Sequence, residues 1–252
     1  MRLPFPSPVP RPASRRARRL AAVLACAWPI VCAAVPAPAS AAAPFPPDTL
    51  EQRLLACTGC HGPQGRATAD GYYPRIAGKP AGYLYNQLAN FRDGRRAAPS
   101  MTWMVDRLPD PYLREIAEHF AGLHPPHPPP LAPAVPPAVL ERGRRLVLEG
   151  DAARGLPACA ACHGEAMLGT EPAIPGLLGL PRDYLNAQLG AWRTGTRRAH
   201  APDCMATIAQ RLAVEDVAAL SAWLAAQPVP PQARAAPASA QPLPLECGGL
   251  ER

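Results

Sequence analysis

The feature that most limits what this chain can fold into is an internal duplication. Around Cys57 it reads Cys-Thr-Gly-Cys-His-Gly, and 102 residues later, around Cys159, it reads Cys-Ala-Ala-Cys-His-Gly. Pro74 returns as Pro175. Tyr83-Leu84-x-x-Gln87-Leu88-x-x-Phe91-Arg92-x-Gly94-x-Arg96 returns as Tyr184-Leu185-x-x-Gln188-Leu189-x-x-Trp192-Arg193-x-Gly195-x-Arg197. Met101 to Leu108 returns as Met205 to Leu212, and the offset drifts only between 101 and 104 residues, as short loop insertions would make it. Ordered self-similarity of this kind describes two copies of one domain, and 252 residues suit two small domains.

The material outside the copies divides the chain further. Residues 124–137 hold a proline run that cannot pair its backbone and favours an extended spacer. The expected organisation is a leader at 1–43, a first domain at 44–123, this proline-rich linker at 124–137, a second domain at 138–227 and a flexible Pro/Ala-rich tail at 228–252. Arg15 to Arg19 form a basic stretch, Leu20 to Val35 is mostly apolar, and small residues follow up to Ala43, the order of a secretory signal peptide. The apolar stretch is short for a membrane span and is broken by Pro29. Export to the periplasm is therefore the expectation, with Cys26 and Cys32 lost with the leader. The net charge of +7 owes six arginines to that leader; the other 20 basic residues face 19 acidic ones, so nothing argues for nucleic-acid binding.

Apolar residues recur at helical spacing over Asp48–Ala56, Ala81–Phe91 and Asp110–Ala121, the last with Asp110 as its expected cap. The second copy repeats this over Pro137–Leu148, Arg182–Trp192 and Val214–Ala226, and no alternating run reads as a strand. The fold class expected is all-α, a few short helices per domain. Four Phe, six Tyr and four Trp give two such domains thin cores, so a large apolar insert is needed to fill them.

The Cys-x-x-Cys-His elements supply one. Zinc would need four ligands at each site, and a thioredoxin-type pair would follow a strand. Haem attachment requires a His directly after the second Cys, and both copies have it. Cys57 and Cys60, and Cys159 and Cys162, would fix a porphyrin by thioether bonds, placing His61 and His163 beneath the ring. A sixth ligand is then sought, and a soft thioether suits an electron carrier. Met101 and Met205 stand at equivalent places, 40 and 42 residues after the two histidines. Met104 is a rival close in sequence, and Met167 has no counterpart.

These residues resemble class I cytochromes c, and the duplication resembles the di-haem cytochrome c4 family, over Leu50 to Gln227. The resemblance implies two tandem cytochrome c domains, each wrapped around one covalently bound haem c, with axial pairs His61/Met101 and His163/Met205. It implies that the carbonyls of Pro74 and Pro175, 13 and 12 residues after the histidines, accept the other ring proton. It also implies a non-enzymatic carrier in a respiratory chain. A dehydrogenase or quinol-oxidising complex would donate, a terminal oxidase or reductase would accept, and any membrane association would come through those partners. Arg92, Arg96, Arg193 and Arg197 read equally as haem-propionate partners and as a solvated face. A small di-haem peroxidase is disfavoured because both copies keep a candidate Met. Cys204, where the first copy has Ser100, and Cys247 are spare thiols in an oxidising compartment, and a disulfide between them is the hypothesis. His119, His124 and His127 read as surface residues, and His200 as a rival ligand.

Overall fold

The computed structural model describes residues 48–68, 71–130, 132–239 and 241–250. The expected leader lies outside the described residues.

The helices follow the apolar periodicity and then exceed it. In the first copy α1 spans Leu50–His61, α2 Ala81–Arg92, α3 Pro99–Val105 and α4 Asp110–Gly122. In the second, α5 spans Pro137–Leu148, α6 Ala160–His163, α7 Arg182–Thr194, α8 Cys204–Arg211 and α9 Val214–Ala225. The Thr49 hydroxyl caps α1 by accepting from the Gln52 N–H, and Asp203 caps α8 by accepting from the Ala206 N–H. Asp110 is not the cap expected of it: Pro109 takes that place, and the Asp110 carboxylate pairs with Arg92 at 2.7 Å. The methionine segments lie outside the six expected helices and form the short helices α3 and α8. The architecture is all-α as expected, and its one departure among the described residues is a two-residue strand pair where no strand was read: β1 (Gly169–Thr170) runs antiparallel to β2 (Ile174–Pro175).

Each copy has its own apolar core. Leu54, Leu84, Phe91, Val105, Leu113, Ile116 and Phe120 form one, and Val147, Leu156, Met167, Leu185, Leu189, Leu212, Leu220 and Leu224 form the other. Each fully buried side chain of this size contributes about 1.5–3 kcal/mol. Met167 is core filler, 2% exposed.

The two lobes meet through their repeated segments. The Ala97 N–H donates to Thr196 O at 2.8 Å and the Arg198 N–H to Arg95 O at 2.7 Å, an antiparallel pairing of equivalent loops. The linker lies against both lobes. Prolines lack N–H groups but keep their carbonyls, and buried Arg75 donates to the carbonyls of Pro125 and Pro126. His127 is not the surface residue expected; its Nδ1 is buried beside Gly179, and burial, then Arg75 and Lys79, push its pKa down to about 4.

The tail differs most from expectation. In place of a flexible segment, the Ala236 N–H donates to Gly169 O at 2.9 Å and Ala236 O accepts from the Glu171 N–H at 2.8 Å. Further on, Cys247 is disulfide-bonded to Cys204. Edge pairing on β1 and a covalent link hold a stretch whose composition alone would leave it loose.

Candidate functional site

The C-terminus of α1 carries Cys57, Cys60 and His61, one helical turn apart, so the thiols and the ring share a face. Gly62 then ends the helix with φ +75°, and a Cβ there would strike Ala67 O, so only glycine lets the chain fold back. In the second lobe the same role falls to the short helix α6, which residues 149–159 separate from α5.

Both histidine rings are buried, and each is oriented by a carbonyl: His61 Nδ1–H donates to Pro74 O at 2.8 Å, and His163 Nδ1–H to Pro175 O at 2.7 Å. A carbonyl only accepts, so the proton must sit on Nδ1 and the Nε2 lone pair is left free for a metal. Burial depresses both imidazole pKa values, with Arg96 adding to this at His61 and Lys79 at His163. Burial raises the thiols of Cys57, Cys159 and Cys162. Such thiols stay protonated unless they are captured covalently.

In the second lobe Cys159, Cys162, His163 and Met205 line a single cavity of about 210 Å³. Leu177, Leu180, Leu185, Leu189, Ile208 and Leu220 complete much of its wall, so it is apolar as well as polar at one side. His200 lines it too. In the first lobe Cys57, Met101 and Met104 all pack against the apolar cluster, so Met104 stands as close to that core as Met101.

The four arginines separate into two roles. Arg92 Nη1 donates to Leu108 O at 3.0 Å and Arg193 Nη1 to Leu212 O at 2.6 Å, each bracing the end of a methionine-bearing segment. Arg96 and Arg197 lie between the lobes in a mirrored network. Arg96 donates to Gln87, Gln188 and Tyr184, and Arg197 to Gln188, Gln87 and Tyr83, at 2.7–3.3 Å. Burial opposes ionisation of Tyr83, but Arg197, Arg96 and Lys79 outweigh it and lower the phenol. Composition hid this network; the exact recurrence of Tyr, Gln and Arg in both copies was the signal that could have found it.

This cavity suits a porphyrin. It offers two thiols, one oriented imidazole, a thioether and apolar walls. Arg197 and Arg198 line it without any ion pair among the described residues, and Trp192 Nε1, also in the wall, has no hydrogen-bond partner there. Cations and an orphan donor beside an apolar slot match carboxylate-bearing haem.

The Cytochrome c family model matches residues 52–114. The chain is 37% identical over 195 residues to the thiosulfate dehydrogenase electron acceptor of Thiomonas intermedia, covering 77% of this chain and 86% of that one. It is 31% identical over 176 residues to cytochrome c4 of Pseudomonas aeruginosa, covering 69% of this chain and 85% of that one. The structure of reduced cytochrome c4 from Pseudomonas stutzeri superposes with a TM-score of 0.60 at 29% identity, over 69% of this chain and 95% of that one. With that helical architecture and these relatives, the chain belongs to the di-haem cytochrome c4 family of class I cytochromes c, electron carriers with covalently bound haem c.

Proposed function

We propose that this protein holds two haem c groups and relays electrons in the periplasm from a dehydrogenase to a downstream oxidase or reductase. Residues 44–123 and 138–227 would form the two haem domains. The observation that carries the reading is the doubled Cys-x-x-Cys-His with each histidine locked to a proline carbonyl. Cys57 and Cys60 attach the first haem and Cys159 and Cys162 the second. His61 and Met101 would ligate the first iron, and His163 and Met205 the second.

Bound haem supplies a one-electron couple, and the chain determines how it is used. The Pro74 and Pro175 carbonyls keep each imidazole in one tautomer and orientation. Met thioethers favour the reduced iron and raise its potential. With His and Met both bound, no position would be left for substrate, which suits transfer rather than catalysis. The relatives named as thiosulfate dehydrogenase electron acceptors support a sulfur-oxidising dehydrogenase as donor. Export rests on the segment 1–43 and accords with the Cys204–Cys247 disulfide, a bond that persists in oxidising compartments.

A spectroscopic redox titration of the mature protein tests this. Two high-potential one-electron waves from low-spin irons are expected, with rapid reduction by a thiosulfate dehydrogenase and its substrate. A single haem per chain, or a high-spin iron, would refute it.

A further inference from the structure

The two haem sites are not equally open. In the first lobe Cys60 is exposed, and the large apolar side chains two residues from its anchors, Leu55 and Trp103, are 59% and 76% exposed. The equivalent positions in the second lobe are Pro157 and Thr207, and Cys162 is partly buried.

Among the described residues, the C-terminal tail adds a wall to the second site. Leu245, Cys247, Gly248, Gly249 and Leu250 line its cavity together with His163 and Met205. This strap is fastened three ways. Cys247 is disulfide-bonded to Cys204, the residue directly before Met205. The Gly248 N–H donates to Pro202 O at 2.9 Å, and Asn86, on α2 of the first lobe, donates to Gly249 O. At Gly248 the strap lies so close that a Cβ would collide with Ala201 O, so the sequence provides the one residue that fits. The first copy has Ser100 where Cys204 stands, so nothing can fasten a strap there in this way.

We infer that residues 245–250, pinned by Cys204–Cys247, are a covalent cover that closes the second haem site and locks its methionine segment, leaving the first lobe as the face that exchanges electrons with partners. The inference rests on the two-haem reading. Cys204 and Cys247 act here as positioning residues, through Met205 and through the strap. Without the disulfide, of these three fastenings only the two hydrogen bonds remain, too little to hold a six-residue segment shut against its own chain entropy.

The test uses the full holoprotein and the double variant Cys204→Ser/Cys247→Ser, which leaves no free thiol to bind iron. Haem content is measured first. Imidazole, a small ligand that competes with methionine for ferric iron, is then titrated. The hyperfine-shifted methyl resonances of the two bound methionines report the two sites separately. In the wild type the Met101 signal should be lost at about tenfold lower imidazole than the Met205 signal, and in the variant the Met205 site should move to meet it while Met101 stays put, as local opening requires. Amide exchange at Gly248 should accelerate in parallel. The Met101 site in the same chain reports whether the variant is folded. Equal imidazole sensitivity of the two sites in the wild type, or a Met205 site unchanged in the variant, overturns the inference. One haem per chain would instead overturn the two-haem reading beneath it.

Discussion

Replacing Asp216 with alanine should cost the second lobe about 3 kcal/mol, and the structure shows where that figure comes from. The Asp216 side chain is fully buried at the start of α9. It accepts from Arg142 at 2.9 and 2.6 Å, from Arg154 at 2.6 Å and from the Ala213 N–H at 2.9 Å. One carboxylate thus ties α5, the turn at Ala152–Arg154 and the first turn of α9. Removing one partner of a buried ion pair costs roughly 3–5 kcal/mol. Arg142 and Arg154 remain 45% and 38% exposed and water can take over their charges, so the low end applies. For a lobe of 90 residues, 138–227, that is a fall of roughly 12–24 °C in Tm.

The pH dependence follows from the same contacts. Burial works against the charged carboxylate, but the bonds from Arg154, the Ala213 N–H and Arg142 win and hold its pKa below the ordinary value. A depressed folded pKa gives stability that is fully present above the unfolded value of about 3.9 and lost as pH falls through the folded one. Guanidinium unfolding of wild type and Asp216→Ala, followed by helical circular dichroism, should therefore show the full gap at pH 7 and a narrowing gap only below about pH 4. A loss under about 1 kcal/mol at pH 7, the worth of a surface ion pair, would refute the reasoning.

Three further outcomes are expected. Met101→Leu should lower the potential of one haem and abolish half of the methionine–iron charge-transfer absorption, whereas Met104→Leu should leave both intact; the visible spectrum and redox titration decide. His127 is neutral in the folded chain down to about pH 4 but takes its proton near its ordinary value of 6.5 when unfolded, so stability should fall between those values. His127→Gln should flatten that part of a stability–pH curve. Phe120→Ala empties one of the largest fully buried positions of the first lobe and should cost about 3–5 kcal/mol in denaturant unfolding, with the second lobe unaffected.

The sequence by itself determined the chemistry and its doubling. Cys-x-x-Cys-His is covalent information within five residues, and its recurrence after 102 residues, with the Tyr–Gln–Arg and methionine segments in step, needs no folding to be read. Four of the six helices expected from apolar spacing, α2, α4, α5 and α9, begin and end within a residue of expectation, because amphipathic periodicity is local. The expectation of export even suggested which two spare cysteines pair. Tertiary structure decided what depends on distant partners. Composition called the tail loose, yet its hold on Gly169 and Cys204 comes from residues tens of positions away. Arg96 and Arg197 could have faced solvent; only the meeting of two lobes put them between Gln87 and Gln188. His127 and Asp216 carry no motif, and their burial follows from how linker and helices pack. Local spacing encodes covalent and periodic features, whereas burial and charge partnership arise only when the folded chain brings remote segments together.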